Sequence, residues 1–259
     1  LQHTDVDVYG YAIGSVEDFS PTTLVATNAQ FDHQGLQADI VYEGEVYPLK
    51  AAVLGDFNLS NLLAATACLI ALGSSPEQAL RQIAKVTTVP GRIEKIEAAP
   101  HANRESHSQP FLAVVDYAHT PGALESVLKA LRAHCQGQLI CAFGCGGDRD
   151  KGKRPLMAAV AEKLADKVIV TDDNPRNEDP QQIVQEIMSG FEQAEFVTVE
   201  HDRAVAISQA IALAKAGDVV LVAGKGHEQS QLVQGKALPF DDREQIRFAL
   251  AKLSKRAVA

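Results

Sequence analysis

From residue 111 onward the chain alternates between two kinds of segment, and this alternation constrains the fold more than any other feature. FLAVVDYA, QLICAFG, KVIVTDD, EFVTVE and DVVLVAG are short, apolar and rich in β-branched residues, as buried strands are. Between them stand TPGALESVLKALRAHC, RPLMAAVAEKLA, DPQQIVQEIMSGF and DRAVAISQAIALAKAG, with apolar residues at helical spacing. Thr120 with Pro121, and Asp179 with Pro180, supply N-cap and first-turn pairs, and a last helix is expected after Asp241 or Asp242. Strands that are each followed by a helix run parallel, because a crossover returns the chain to the same end of the sheet. The expectation is an α/β fold with a Rossmann-like doubly wound sheet.

The first part of the chain reads differently. Up to about residue 55, TLVATNAQF and DIVYEGEVYPL are bounded by the turns HQG and EG, which predicts a small antiparallel or mixed sheet. A helix is expected over about 58–72, with Asn58 as a capping residue and Gly73 as its stop. A second helix opens on Ser75 and Pro76. The style changes near residues 90–92, so 1–91 and 92–259 are read as two parts. AAPHANRESHSQP is polar and aperiodic and reads as a hairpin tip without chemistry.

The formal charge of −9 argues against non-specific binding to nucleic acid or to an anionic membrane. It leaves room for a local cluster of Arg and Lys that takes a small anion. No run approaches the ~18 apolar residues of a membrane helix, and no signal peptide is recognisable. Cys68, Cys135, Cys141 and Cys145 lack a CxxC spacing and read as reduced core thiols in a reducing compartment, although Cys141 and Cys145 are near enough in sequence to pair. His3, His33, His101, His107, His134 and His201 read as surface residues without metal-ligand spacing, so no metal site is expected. A start at Leu1, in the run-up to a strand, suggests a fragment.

Ligands of a doubly wound sheet sit beyond the carboxyl ends of its strands. Four segments fall there: DYAHT (116–120), GCGGDRDKGKR (144–154), DDNPRNED (172–179) and GKGHE (224–228). The second offers Arg149, Lys151, Lys153 and Arg154, with the N–H groups of Gly144, Gly146 and Gly147, at the start of a helix, a setting suited to phosphate or carboxylate. A dinucleotide fingerprint, and with it an NAD-dependent oxidoreductase, is the rival reading, but Arg149 stands where the third glycine belongs. The plain alternative is a flexible turn with solvated charges. GKGHE is no phosphate loop of the G-x-x-x-x-G-K-[ST] type, none occurs in the chain, and a simple turn would explain its glycines. Asp116 suits a ribose diol, and His119 suits either an anion or a local loop hydrogen bond. For Arg176 the plain reading is a salt bridge to its acidic neighbours, while Glu178 and Asp179 simply start the next helix. No Ser or Cys nucleophile stands in these loops, so no catalytic side chain is assigned.

With GDFNLSNLLAA, VPGRIE, VDYAHTPGALE, FGCGGDRDKGKRPLM, DDNPR and AGKGHE in this order, the chain resembles the Mur ligase family, the cytoplasmic ATP-dependent peptide ligases of peptidoglycan synthesis. The likeness covers essentially the whole chain, most strongly 54–229, and is nearest to members that add meso-diaminopimelate to UDP-N-acetylmuramoyl-L-alanyl-D-glutamate. It implies that 1–91 is the end of the central ATP-binding domain and 92–259 the amino-acid-binding domain. The family's UDP-binding domain, its GTNGKT-type phosphate loop and the carbamylated lysine that helps hold Mg2+ are not found here, so the chain alone is expected to be inactive. A monomer is expected, and a non-catalytic nucleotide-binding domain is a further alternative.

By this resemblance Asn58 and Asn61 contact the adenine of ATP, Arg92 and Asp116 flank the adenosine, and His119 and Lys151 lie toward the phosphates. Arg149, Asp173, Asn174, Pro175, Arg176, Gly224 and Glu228 hold the amino acid. Arg176 would grip its distal carboxylate, and Asp173, Glu228 and the Gly224 carbonyl would accept from the neighbouring ammonium.

Overall fold

A computed structural model describes residues 8–20, 22–98 and 111–256, which divide into two units, Leu1–Thr88 and Val89–Ala259. The polar stretch AAPHANRESHSQP, apart from Ala98, lies outside the described residues, as do His3, His101 and His107.

In the first unit β1 (Gly10–Ile13), β2 (Thr23–Asp32), β3 (Gly35–Tyr42) and β4 (Glu45–Ala51) form a mixed sheet in that order. β1 runs parallel to β2 and the other pairs are antiparallel. Glu43 and Gly44 both have positive φ (51° and 84°), as the tight turn between β3 and β4 requires. Helices α1 (Asp56–Ala71) and α2 (Pro76–Ile83) follow, and Leu59, Leu63, Leu80 and Ile83 bury against Leu24, Leu36, Ile40 and Leu49. Gly73 (φ 92°) ends α1: its N–H bonds to the Ile70 carbonyl while the Ser74 N–H reaches back to Leu69. Ser75 caps α2 as the sequence indicates, accepting from the Gln78 N–H. Asn58 is not the cap of α1. The helix starts two residues earlier, after Gly55, and Asn58 Nδ2 donates to the Leu54 carbonyl (2.7 Å).

The second unit runs β5 (Glu94–Lys95), β6 (Leu112–Asp116), α3 (Pro121–Arg132), β7 (Leu139–Phe143), α4 (Lys153–Leu164), β8 (Lys167–Val170), α5 (Pro180–Met188), β9 (Thr198–Val199), α6 (Arg203–Leu213) and β10 (Val219–Ala223). A hairpin, β11 (Ser230–Val233) and β12 (Lys236–Pro239), and α7 (Asp242–Arg256) complete it. The sheet order is β5-β6-β10-β7-β8-β9, parallel except for β5. Every residue of β6, β7 and β10 is buried, as strands covered on both faces must be. On one face Ala113, Val115, Ile140, Ala142, Val220 and Val222 pack with Ile207 and Ile211 of α6 and Ile246 and Leu250 of α7. The α/β architecture is the one expected, and it places the four strand-end loops along one edge.

Four readings change. EFVTVE keeps only Thr198–Val199 as strand, the rest going to a 3-10 turn and extended chain. The hairpin at 230–239 was not anticipated, because its turn, Gln234 and Gly235, carries no Asn-Gly or Asp-Gly signal. His134 is buried, not a surface residue, while His201 is exposed. All four cysteines are free, but only Cys141 and Cys145 are core thiols; Cys68 is exposed and Cys135 half-buried. Among the described residues no helix is long and apolar enough to cross a membrane.

Candidate functional site

The loops after β7 and β8 lie against each other because glycines let them. A Cβ on Gly144 would overlap the Thr171 carbonyl oxygen, and one on Gly147 the Pro175 carbonyl oxygen. The Gly147 N–H donates to the Asn174 carbonyl (2.8 Å). A Cβ on Gly146 would come within 2.7 Å of Arg176 Nη1. These glycines therefore clear space for the second loop, and the N–H of Gly147 goes to that loop instead of remaining open to an anion.

The side chains of Arg149 and Arg176 both lie beside Gly146. Arg149 is exposed, with Nη1 donating to the Asp148 carbonyl (3.0 Å). Arg176 takes a left-handed conformation (φ 52°), uncommon for a residue with a Cβ. Its backbone is held by β11: its N–H donates to the Leu232 carbonyl (2.9 Å) and its carbonyl accepts from the Gln234 N–H (2.6 Å). Its Nη1 donates to the Gly147 carbonyl (2.8 Å), and no described residue accepts from Nε or Nη2. The salt bridge to acidic neighbours is not made.

Glu178 bonds to Arg154 instead (3.0 Å), a fully buried guanidinium that also holds Glu186 (2.6 Å). That bond, with others, lowers the Glu178 carboxyl to about 2. So Glu178 braces the loop, and Asp179 alone caps α5 by accepting from Gln181 N–H (3.0 Å). Lys151 lies 3.4 Å from Glu178, whereas the lysine that reaches the His119 carbonyl is Lys153 (2.7 Å).

Beneath these loops lies a cluster of buried charges. Lys225 has no exposed side-chain surface, and its Nζ meets Asn174 Oδ1 at 2.8 Å, Glu228 Oε2 at 3.2 Å and Asp173 Oδ1 at 3.7 Å. Asn174 Nδ2 donates to the same Glu228 oxygen (2.8 Å). Asp173 is only 5% exposed; burial raises its carboxyl, opposed by Arg203 and Lys225. It is an inner counter-charge, whereas Glu228 keeps 32% of its side chain in solvent. Gly224 is bare because a Cβ there would collide with Asp173 Oδ2. Arg203 pairs with Asp242 (2.8 Å), both fully buried, and donates to the Ala223 carbonyl at the end of β10 (3.0 Å).

A second cluster gathers around Tyr117. The Arg92 guanidinium carbon lies 5.1 Å from its ring centroid, and the rings of His119 and His227 lie 4.6 and 5.6 Å away. Gly91 makes room for the Gly226–His227 backbone. Asp116 is buried, its oxygens taken by the N–H groups of Ile93 and Ala118 (2.7 Å each), and burial raises its carboxyl. It pins Ile93, a β-branched residue at φ 42°, which is a strained position. Each of its oxygens thus has one protein donor and keeps a further lone pair. His119 Nδ1 bonds to the Tyr117 carbonyl (2.7 Å), the local loop bond that was one of its two readings. In the first unit Asn61 Nδ2 donates to Asn58 Oδ1 (3.1 Å).

The structure thus brings Arg149, Asn174, Pro175, Arg176, Gly224 and Glu228 to one strand-end region, with Asp173 below, and Arg92 and His119 to another. Sequence reasoning missed Lys225, Arg203, Tyr117 and His227, and named Lys153 only as one of the cations of its loop. Lys225 had a signal: a lone cation between two strand-end glycines. Arg203 had none, since it opens a helix like any surface arginine. Among the described residues no group of three or more His, Cys, Asp or Glu side chains is placed to hold a metal ion.

Residues 91–226, just over half of the chain, match the family described as "Mur ligase, glutamate ligase domain". The chain is 46% identical over 242 residues to the UDP-N-acetylmuramoyl-L-alanyl-D-glutamate–2,6-diaminopimelate ligase of Synechococcus elongatus, covering 93% of this chain and 46% of that protein. It is 48% identical over 232 residues to the protein of the same name from Xanthomonas oryzae, covering 89% and 45%. It therefore spans about half the length of the curated relatives it matches. A solved structure with this name superposes at a TM-score of 0.71, with 37% identity over 89% of this chain and 46% of that one. UDP-N-acetylmuramate–alanine ligase from Thermotoga maritima superposes at 0.56 with 17% identity, covering 90% and 46%, and shares the fold. Glycine-packed strand-end loops on a doubly wound sheet, the matched span and these relatives agree: the chain belongs to the Mur ligase family.

Proposed function

We propose that this chain is the acceptor-holding part of an ATP-dependent ligase that joins meso-diaminopimelate to UDP-N-acetylmuramoyl-L-alanyl-D-glutamate in the cytoplasm. In this reading 1–91 closes the central ATP-binding domain and 92–259 is the amino-acid-binding domain. One observation carries it: Arg176 is fixed through its own backbone while its Nε and Nη2 have no described partner. Such a guanidinium is ready for two parallel hydrogen bonds to a carboxylate. Nearby, Glu228 leaves one oxygen for an ammonium. Diaminopimelate carries both groups at its distal end, and lysine lacks the carboxylate.

ATP, when bound, activates the glutamyl carboxylate by phosphorylation so that an amine can displace the phosphate. The exposed Arg92 guanidinium on Tyr117, edged by His119 and His227, offers a flat, cationic and aromatic surface that fits a purine nucleotide. The described residues form no cluster for Mg2+. What these residues supply is orientation: the acceptor is held by its far end, and its reacting amine is thereby aimed.

The test uses a full-length ligase carrying this sequence, assayed for amide formation with diaminopimelate or lysine. Preference for diaminopimelate on the order of 10⁴-fold is expected, since a site built for a polar group is left unpaired by the analogue lacking it. Equal use of both amino acids overturns the reading. The 259-residue chain by itself is expected to show no ligation, because it contains no phosphate loop.

A further inference from the structure

We propose that Lys225 is the positioning residue that presets the acceptor site for a zwitterion, an inference that rests on the proposed ligase reading. Its side chain has no exposed surface, so it meets no substrate directly. It acts through the two groups it touches.

Consider the Asn174 carboxamide. Its Oδ1 receives Lys225 Nζ at 2.8 Å and the Leu232 N–H at 2.9 Å. Both partners are donors only, so a flipped amide would set its NH2 group against two donors. The orientation is thereby fixed, and Nδ2 must turn toward Glu228, where one of its protons is donated at 2.8 Å. The other Nδ2 proton has no described acceptor.

Glu228 is set by the same cation. Its Oε2 takes both Lys225 (3.2 Å) and Asn174 (2.8 Å), which leaves Oε1 without a described partner. Lys225 thus leaves one free N–H on a buried amide and one free oxygen on the carboxylate it touches. A carboxylate accepts from the first and an ammonium donates to the second, which is the pairing an α-amino-acid end presents.

The charges agree with this. Asp173, Asp242 and Glu228 are set against Arg203 and Lys225 in one connected cluster, three acids against two bases. The surplus is one negative charge, and Glu228 is the member that reaches solvent. An ammonium completes the balance. Without Lys225 the three acids would face Arg203 alone, itself paired with Asp242, and a carboxyl would take up a proton to relieve this.

The experiment compares wild type with K225M in a full-length ligase carrying this sequence. K225M is expected to raise the KM for diaminopimelate more than tenfold, with the KM for ATP within twofold of wild type. It is also expected to move the acid limb of log(kcat/KM) to higher pH, a shift that loss of packing alone would not produce. A folded K225M with wild-type KM and pH profile overturns the inference. Should K225M not fold, K225Q, which keeps a donor of similar reach, is judged by the same readouts. If wild type itself does not ligate diaminopimelate, the functional reading fails. Lys225 is then judged from proton exchange of the Asn174 carboxamide in this chain: acceleration above tenfold in K225M upholds its positioning role, and unchanged exchange overturns it.

Discussion

Arg154 and Glu178 share two hydrogen bonds of 3.0 Å, one from each terminal guanidinium nitrogen, and Arg154 is wholly buried while doing so. The pair ties the first turn of α4 to the loop that carries Arg176. It also makes the loop sensitive to acid. Glu178 is held at about 2 against an ordinary 4.5, so its contribution is complete above pH 4.5 and is lost as the pH falls toward 2. Thermal unfolding followed between pH 7 and pH 2 should show Tm falling in that window. In E178Q the fall should be shallower, and stability at pH 7 lower by about 1–3 kcal/mol, since a buried cation loses a charged partner.

Two glycines should respond in opposite directions to the same change. Gly147→Ala places a Cβ on the Pro175 carbonyl, which is backbone and can only move by shifting the loop. A loss of about 1–3 kcal/mol is expected, typical of overpacking. Gly122→Ala, in the first turn of α3, meets nothing within 4 Å and should gain about 0.4–1 kcal/mol. Urea midpoints measure both.

Thiol labelling should proceed in a set order. Burial pushes the thiols of Cys141 and Cys145 up to about 12, so native protein should not alkylate there at pH 8. Cys68 is exposed and should react first, with the half-buried Cys135 behind it. Mass spectrometry of iodoacetamide-treated protein, with and without denaturant, gives the order.

Arg176→Ala in the full-length ligase should cost diaminopimelate about 10²- to 10⁴-fold in kcat/KM, the scale of a lost charged contact. Activity on lysine, which offers no distal carboxylate, should change little. Gln181→Ala, exposed on α5, is the matched control and should leave both unchanged.

The period of the second unit was legible because its strands are buried on both faces and its helices on one, so each segment declares its type. The caps at Ser75, Thr120 and Asp179 were equally plain, since each precedes a proline at the first helical position. The strand-end rule then found the loops. It did not find which charges face out. Arg154 and Arg149 are five residues apart in one basic run, yet one is sealed between two glutamates and the other stands in solvent. That choice depends on Glu178 and Glu186, which arrive from another element. The N–H of Gly147 was misread for a related reason. A missing side chain tells that something comes close, and only the fold tells that the visitor is Thr171, Pro175 or Arg176.

The grip of β11 on residue 176 uses only that residue's main-chain N–H and carbonyl. Nothing in it depends on the side chain being an arginine, beyond tolerance of a left-handed backbone, which disfavours β-branching. The position therefore works as a socket with an exchangeable fitting. If Arg176 holds the acceptor as proposed, changing the residue there would alter what is recognised while the main-chain bonds to 232 and 234 stay in place, so a change of acceptor would be open to a single substitution without the loop being rebuilt.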